Sequence, residues 1–170
     1  MFQKLKNKMK DQRGLTLIEL LAVIVILAII AAIAIPSIMG LIDNSKKDAH
    51  VANAQQMINS AKMAITADRS LQPLPSQKIV INLEYLEEKG YLEEIKDPDG
   101  ARNTYKRASA SAATASAAPT TNTDSYVIIT NTNNTLSYEV ELYSTKSSRG
   151  VRASGGGPVG EDLLNRDNVR

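Results

Sequence analysis

The chain lacks residue types on which several classes of protein depend. It contains no cysteine and no tryptophan, one phenylalanine and a single histidine, His50, among 170 residues. The absence of cysteine excludes disulfides, thiolate nucleophiles and Cys/His zinc clusters. One histidine on the hydrophilic side of a predicted helix gives no Ser-His-Asp arrangement to build on. We therefore predict that the protein is not an enzyme, that it has no cofactor or metal, and that His50 is solvated.

A large excess of charge of either sign is also missing. The formal net charge is +2, and residues 15–170 alone hold fifteen Lys/Arg and seventeen Asp/Glu, a net charge of −2. This part of the chain is therefore not a general binder of polyanions. The first fourteen residues are basic, with Lys4, Lys6, Lys8, Lys10 and Arg13 against Asp11. By the positive-inside rule, the N-terminus stays cytoplasmic and the residues after the following apolar run are exported.

That apolar run extends from Leu15 to Ile35 and reads LTLIELLAVIVILAIIAAIAI. Its length is what a helix needs to cross the roughly 30 Å hydrocarbon core of a bilayer. Glu19 is the only charged residue within it. A carboxylate in lipid costs on the order of 2.5–3.5 kcal/mol, so Glu19 predicts a functional role with a partner group. The alternative is that Glu19 reaches the headgroups near the membrane interface at modest cost.

The residues around the start of the run form a recognisable pattern. Gly14 is followed by the apolar Leu15 and then by Thr16 and Glu19. This pattern resembles the class III signal peptide of type IV pilins and pseudopilins, including those of competence and type II secretion systems. The resemblance implies that a prepilin peptidase removes residues 1–14 by cleaving after Gly14, and methylates the new amino group of Leu15. The family usually has phenylalanine at that position, so Leu15 is a mild departure that keeps an apolar residue.

Physical chemistry supports parts of this pattern. Glycine at the cleaved bond allows a protease to approach the backbone closely. Cleavage would leave a positive amine at the edge of the apolar helix, where it could neutralise Glu19 of a neighbouring subunit. Thr16 either donates a hydrogen bond to a nearby carbonyl or is simply a small residue that a helix tolerates. Pro36, at a position typical of the family, is where the helix is expected to bend.

The resemblance also implies a function and partners. The chain would be a structural subunit of a type IV pilus-like filament for adhesion, motility or DNA uptake, or a pseudopilin of a type II secretion or competence system. Its partners would be prepilin peptidase, copies of itself, minor pilins, and the inner-membrane assembly platform with its ATPase. Before assembly it would be a single-pass membrane protein with an extracytoplasmic C-terminal domain, and afterwards part of a cell-surface filament. Cysteine closes the C-terminal region of many diderm pilins, so its absence favours a monoderm, Gram-positive source.

Other interpretations of the sequence remain open. Ala32-Ile33-Ala34 resembles an ordinary secretory cleavage site, but the apolar region before it is too long and contains Glu19. A stronger alternative is a permanent signal anchor that carries a monomeric extracytoplasmic binding module, which would have the same topology. DNA contact is a further possibility because Arg102, Lys106 and Arg107 are clustered cations that attract phosphate. A solvated loop explains those three residues equally well.

Beyond the apolar run the helical pattern continues through an amphipathic segment, residues 37–70. Val51, Ala54, Ile58, Ala61 and Ile65 recur at spacings of three and four, which predicts one apolar face. Two prolines, Pro73 and Pro75, then end the helix. The predicted fold class is α+β, with a long N-terminal helix packed against a small antiparallel sheet, as in type IV pilins.

The head is predicted to comprise residues 71–145. Ile79–Ile81 form a short strand, Asn82 caps a short helix that Gly90 stops, and Asp97–Gly100 form a turn rather than a calcium site. Residues 108–125, rich in Ala, Ser and Thr, are predicted to be a mobile or exposed loop. Alternating residues predict a β-hairpin over 126–143 with one face on the helix. Residues 146–170, which contain three consecutive glycines, are predicted to be a flexible, poorly anchored end.

Overall fold

A computed structural model describes residues 2–100, 105–108, 113–114, 124–145 and 149–170, with side chains from Thr16 onward. The first element is helix α1, Phe2–Ala67, which contains Pro36. Asp68 ends it with an extended backbone, and its carboxylate accepts a hydrogen bond from the Ser70 amide as the N-cap of a 3₁₀ turn, Arg69–Leu71. The helix was predicted to end near residue 70, before Pro73 and Pro75. It ends at Ala67, and the residue that follows, Asp68, caps the next turn.

The chain divides into two compact units, residues 1–43 and residues 44–170. The first unit is the N-terminal part of α1. The second, which we call the head, contains the rest of α1 and all of the described strands. The sequence predicts that the membrane segment ends at Pro36. The boundary between the two units lies seven residues further along, after Asp43.

The described strands of the head form one antiparallel sheet. Its strands are β1 (Lys78–Asn82), β2 (Ala113–Thr114), β3 (Tyr126–Thr132), β4 (Thr135–Tyr143), β5 (Gly150–Val151) and β6 (Val159–Gly160), with helix α2 (Leu83–Glu88) between β1 and β2. The spatial order is β2-β1-β3-β4-β5, and β6 also pairs with β4. The α+β fold predicted from the sequence, a long N-terminal helix on a small antiparallel sheet, is confirmed.

The core of the head lies between α1 and one face of the sheet. Its helix side is the predicted apolar stripe, because Ala54, Ile58 and Ala61 are fully buried. The sheet side alternates as a half-buried hairpin should. The buried sheet residues in this core are Ile79, Ile81, Val127, Ile129, Val140, Leu142, Val151 and Val159.

Part of the opposite face of the sheet is buried as well, a feature that the predicted hairpin did not address. Val80, Tyr126 and Ile128 form a second apolar cluster there. Glu141 has no exposed surface, and its Oε2 accepts a hydrogen bond from the Tyr126 hydroxyl at 2.6 Å.

Local signals in the sequence mark the ends of several elements. The Asn82 side chain accepts a hydrogen bond from the Tyr85 amide at 2.8 Å and caps α2. Gly90 follows α2 with φ of +74°, which suits glycine. The β3–β4 hairpin turns at Asn133 and Asn134, both with positive φ, as a two-residue hairpin turn of this twist requires.

The C-terminal segment differs from its prediction. Residues 149–170 are anchored, because Gly150 and Arg170 exchange two backbone hydrogen bonds of 2.8 and 3.0 Å. Val169 is buried against Val151. Two ion pairs tie the segment to α1: Lys62 Nζ binds Glu161 Oε1 at 2.6 Å, and Arg166 Nη2 donates to Asp48 Oδ2 at 2.6 Å. The three consecutive glycines suggested a flexible segment. The segment is nevertheless held in place by contacts with β4 and α1, which are distant in the sequence.

Much of the Ala/Ser/Thr-rich segment 108–125 lies outside the described residues. Within it, the pair Ala113–Thr114 forms β2 and pairs with β1, with Val80 opposite Thr114. The prediction of a mobile or exposed loop is therefore wrong for these two residues.

Candidate functional site

The part of the first unit whose side chains the structure describes is almost entirely apolar. From Thr16 to Ile42 the only ionisable residue is Glu19. Large side chains along this stretch are exposed in the isolated chain, with Leu17 at 71% and Ile33 at 74%. An eighteen-residue window with a mean hydropathy of 3.2 is entirely unburied. By length and composition, this helix can cross a membrane.

The predicted assembly residues fall on this helix. The side chains of Thr16, Glu19 and Pro36 are all exposed on α1. Because an exposed apolar surface of this size is unfavourable in water, it needs lipid or other protein to cover it. A carboxylate within that surface requires a cationic partner once it is covered. Gly14 and Leu15, the predicted processing residues, lie outside the part of the chain whose side chains are described.

A second, polar site lies in the head around His50. The prediction that His50 is solvated is wrong, because its side chain has no exposed surface. Nδ1 of its imidazole is 2.7 Å from the Tyr105 hydroxyl, and Nε2 is 3.1 Å from Asp99 Oδ2. The apolar periodicity of α1 placed His50 on the polar side. Asp97, Asp99 and Tyr105, which cover it, lie about fifty positions further along the chain, so no local signal in the sequence shows that His50 is buried.

The Asp97–Gly100 segment holds the other side of this cluster. It is the predicted turn, with the Gly100 amide donating to the Asp97 carbonyl at 3.2 Å. The Ser144 hydroxyl donates to Asp97 Oδ2, and Asp97 Oδ1 accepts from the Asp99 amide at 2.9 Å. The same Oδ1 of Asp97 lies 3.8 Å from His50 Nε2, so this carboxylate is held beside α1.

Two cations complete the charge balance of the cluster. Lys46 Nζ lies 3.1 Å from Asp99 Oδ1, and Arg149 Nη1 lies 3.2 Å from Asp99 Oδ2. Burial alone would raise the pKa of Asp99, but the hydrogen bonds from His50 and Lys46 and the charge of Arg149 hold that pKa below its usual value. We call these residues the His50 cluster: Lys46, His50, Asn53, Asp97, Asp99, Tyr105, Ser144 and Arg149.

A family model for the prokaryotic N-terminal methylation motif matches residues 9–35. The match spans the Gly14-Leu15 junction, Glu19 and most of the apolar helix. The chain therefore carries the class III signal peptide of type IV pilins and pseudopilins. No curated protein and no solved structure matches the chain.

This class III signal peptide supports a type IV pilin-like or pseudopilin precursor and points to a structural protein. It implies processing by prepilin peptidase and pilin assembly. Together with the apolar helix, it fits a pilin that is anchored in the membrane before assembly. The resemblance found in the sequence is thus confirmed at the level of the signal peptide.

The His50 cluster contains a possible set of metal ligands. One ligand atom each from His50, Asp97 and Asp99 lies within 4.8 Å of the others. However, a divalent cation would have to compete with the contact between His50 Nε2 and Asp99 Oδ2 and with Arg149 for the same carboxylate. Both carboxylates already accept hydrogen bonds from protein donors, so the contacts of the described residues are complete without a metal.

The sequence offered Arg102, Lys106 and Arg107 as a possible DNA-contacting patch, and the structure shows Arg107 bound to a carboxylate instead. Nε and Nη2 of Arg107 donate to the Glu87 carboxylate at 2.6 and 2.8 Å. This bidentate pair raises the pKa of Arg107 and commits its guanidinium to a carboxylate within the chain. Arg102 lies outside the described residues. Since Arg107 would have to leave Glu87 to contact phosphate, its contacts do not support the predicted DNA-contacting patch.

Proposed function

We propose that this protein is a structural subunit of a type IV pilus-like filament. The observation that carries the proposal is the methylation motif at residues 9–35 on a helix whose described apolar side chains are exposed. In this proposal prepilin peptidase cleaves after Gly14 and methylates Leu15. An inner-membrane platform and its ATPase then assemble the chain with its copies and minor pilins through α1. The filament lies at the cell surface and serves adhesion, motility or DNA uptake.

The physical argument for assembly rests on how the apolar surface is covered at each stage. Lipid covers the apolar run, residues 15–35, before assembly, and the same run of neighbouring copies covers it afterwards. Glu19 is unfavourable in the lipid, since it has no partner there. In the filament it pairs with the positive amine of Leu15 on a neighbour, so the charge pair favours one register over others.

A pseudopilin of a secretion or competence system is the second candidate function. The specific observation in its favour is the same signal peptide, because both pilins and pseudopilins carry it. The two candidates differ in the filament that is built rather than in processing. A signal-anchored monomeric module is the remaining alternative, and it predicts neither cleavage nor methylation.

The first experiment determines the N-terminus of the protein extracted from membranes, by intact and peptide mass spectrometry. The expected product begins with N-methylated Leu15. A retained Met1 would contradict the proposal in favour of a signal anchor, and a start at Ile35 would indicate a secreted domain.

A matched pair of variants sharpens this experiment. Gly14→Val places a branched side chain at the scissile bond and is expected to block cleavage. Gly40→Val makes the same change within α1, where an added Cβ meets no atom within 4 Å, and it should leave processing intact. If Gly14→Val is cleaved as efficiently as Gly40→Val, the cleavage site is not at Gly14.

A further inference from the structure

We infer that the head carries a self-complementary surface, through which this protein contacts a second copy of itself in a neighbouring filament. The surface consists of a groove between the end of α1 and the β3–β4 hairpin, together with the exposed pair Asp162–Leu163 beside it. The inference rests on the proposed function, because it requires filaments that lie side by side.

The groove lies where α1 ends and has a volume of about 600 Å³. Ile65 of α1 and the partly buried Leu136 and Tyr138 of β4 form its apolar part, and Arg69 lies on its rim. Among the described strands, β5 and β6 pair with β4 only from Glu139 onward. This end of β4 is therefore not covered by either strand, and the groove remains open.

The two cations of the groove differ in what they already bind. Lys62 is committed within the chain, because its Nζ lies 2.6 Å from Glu161 Oε1 and 4.8 Å from the centre of the Tyr138 ring. Arg69 is exposed, and its guanidinium forms no ion pair with another described residue. Arginine binds carboxylates through two parallel hydrogen bonds, so Arg69 can receive a carboxylate from another copy.

The matching feature is the 3₁₀ turn Glu161–Leu163. The side chain of Leu163 is 62% exposed. Asp162 beside it is exposed as well and forms no ion pair within the described part of the chain. A leucine next to a carboxylate complements an apolar groove with an arginine on its rim.

The groove and the Asp162–Leu163 pair are adjacent on the head. Glu161, which begins the turn, binds Lys62 at the edge of the groove. Leu163 does not fill the groove of its own chain, since most of its surface is exposed. A surface that carries both halves of a contact can meet a copy of itself reciprocally about a two-fold axis. Leu163 of each copy then enters the groove of the other, and Arg69 faces Asp162 twice.

This reciprocal geometry places the contact between filaments rather than within one. In the proposed filament all copies point in the same direction, because Glu19 of one copy pairs with the amine of Leu15 at the same end of its neighbour. Neighbours in such a polar helix are not related by a two-fold axis, so they cannot form a reciprocal contact. Two parallel filaments that lie side by side can be related by a two-fold axis along their length.

Each contact is weak, because it consists of exposed ion pairs and one apolar side chain from each copy. Many such contacts form together along two filaments, and this multivalency raises the overall affinity without any new contact. Separate heads therefore stay monomeric while filaments associate. Salt should weaken the association, because it screens exposed charges.

The experiment measures the association of purified filaments at low salt. Bundles sediment at low speed, whereas single filaments sediment only at high speed. Arg69→Glu should reduce the low-speed fraction by about fivefold or more, because two carboxylates would then face each other. Lys78→Glu makes the same change in net charge at another exposed cation of the head, outside the groove, and should bundle as the wild type does. Equal bundling of the two variants would overturn the inference.

A charge exchange tests the pairing directly. Asp162→Arg alone should also reduce bundling, whereas the double variant Arg69→Glu/Asp162→Arg exchanges the two charges and should restore it. A double variant that bundles no better than either single variant would overturn the inference.

Introduced thiols give a second readout, because the chain has no cysteine of its own. Filaments with Gln72→Cys, at the groove, and filaments with Leu163→Cys are assembled separately, mixed at high salt, returned to low salt and oxidised with copper phenanthroline. Disulfide-linked dimers that contain one chain of each kind are expected, and they can arise only between filaments. Bundles without such mixed dimers would overturn the inference.

The same fractions separate this inference from the proposed function. Filaments that form normally but stay single at low salt would overturn the contact and leave the proposed function intact. Absence of the processed protein from both pellets would show that no filaments form, which would overturn the proposed function and this contact with it.

Discussion

Glu19 is the residue whose substitution most directly tests the proposed assembly. In Glu19→Ala the apolar helix is preserved, so membrane insertion and cleavage after Gly14 should remain. The amine of Leu15 on a neighbour would then lack its counter-charge in a water-poor environment, and truncation of one partner of such a pair costs about 2–5 kcal/mol. We expect incorporation into filaments to be abolished, measured as the protein in sheared filaments relative to the membrane fraction.

The control for Glu19→Ala is Thr16→Ala, which changes a nearby exposed residue without removing charge. Thr16→Ala should retain filaments if threonine serves only as a small residue that the helix tolerates. Normal filaments from Glu19→Ala would rule out the pairing between carboxylate and amine. They would leave the processing assignment intact, because cleavage is measured separately.

Asp99 gives a prediction at the residue scale inside the head. Its folded-state pKa is below the unfolded value, because the bonds from His50 and Lys46 and the charge of Arg149 outweigh the effect of burial. The stability it contributes is therefore present above an unfolded pKa of about 3.9 and is lost as the pH falls through the folded pKa. Asp99→Asn should lower the free energy of unfolding at pH 7 by about 1–3 kcal/mol.

Urea unfolding at pH 7 and at pH 3 checks this prediction. The difference between the wild type and Asp99→Asn should shrink at pH 3, where the wild-type carboxyl begins to protonate. Asp162→Asn, at an exposed aspartate, serves as the control and should change stability little at either pH. A difference that is the same at both pH values would show that the charge of Asp99 is not what stabilises the head.

Residues differ in how far sequence alone predicts their roles. Asn82 and Gly90 act through their own backbone and nearest neighbours, so their roles as helix cap and helix stop could be predicted. Glu19 stood out because a charge in an apolar run is itself local information. The environment of His50 could not be predicted, since Asp99 and Tyr105 reach it only after the chain has folded back.

At the scale of elements, Gly150 in β5 gives a sharp test of the C-terminal pairing. A Cβ added there would lie 1.8 Å from the Leu142 carbonyl oxygen in β4. Backbone atoms would have to move, and overpacking of this kind typically costs about 1–3 kcal/mol. Gly150→Ala should lower the free energy of unfolding by about this amount and speed amide exchange at Arg170 and Arg152.

Gly155→Ala is the matched control, because a Cβ at Gly155 meets no atom within 4 Å. The two substitutions are chemically identical and lie in the same segment. Gly155→Ala should therefore leave the exchange rates at Arg170 and Arg152 nearly unchanged. Equal effects of the two substitutions would contradict the β4–β5 pairing described above.

Elements with a periodic pattern were predicted well, and elements without one were not. The apolar stripe from Ala54 to Ile65 and the alternation in β3 and β4 each reflect the geometry of a single element. β5 and β6 have two residues each, too few for a pattern. They form because β4 pairs with both of them from elsewhere in the chain, with Leu142 opposite Val151 and Val140 opposite Val159.

At the scale of the whole molecule, the two units have different requirements. From Leu17 to Ile42 the first unit exposes its large apolar side chains and needs lipid or neighbouring copies to cover them. The head has its own core. The buried residues of its main apolar cluster begin at Ala54, so none of them lies in the first unit. A chain divided in this way can exchange lipid for protein around its first unit without refolding the head, as filament assembly requires.

This division predicts that a chain starting at Asn44 folds without the first unit. Asn44 and Ser45 would begin the helix with residues that favour an N-cap, and the His50 cluster would be complete. We expect a soluble monomer by light scattering. Its thermal midpoint should lie within about 4 °C of that of the full chain in detergent, which corresponds to a change in the free energy of unfolding of at most about 1 kcal/mol.

The control is a chain starting at Ala54, which keeps the apolar core but lacks Lys46, His50 and Asn53. It should melt well below the chain that starts at Asn44, because Asp99 would lose its contacts with Lys46 and His50, and Tyr105 would lose those with His50 and Asn53. If the two truncated chains melt together, the His50 cluster does not stabilise the head, whereas aggregation of both would show that the head requires the first unit.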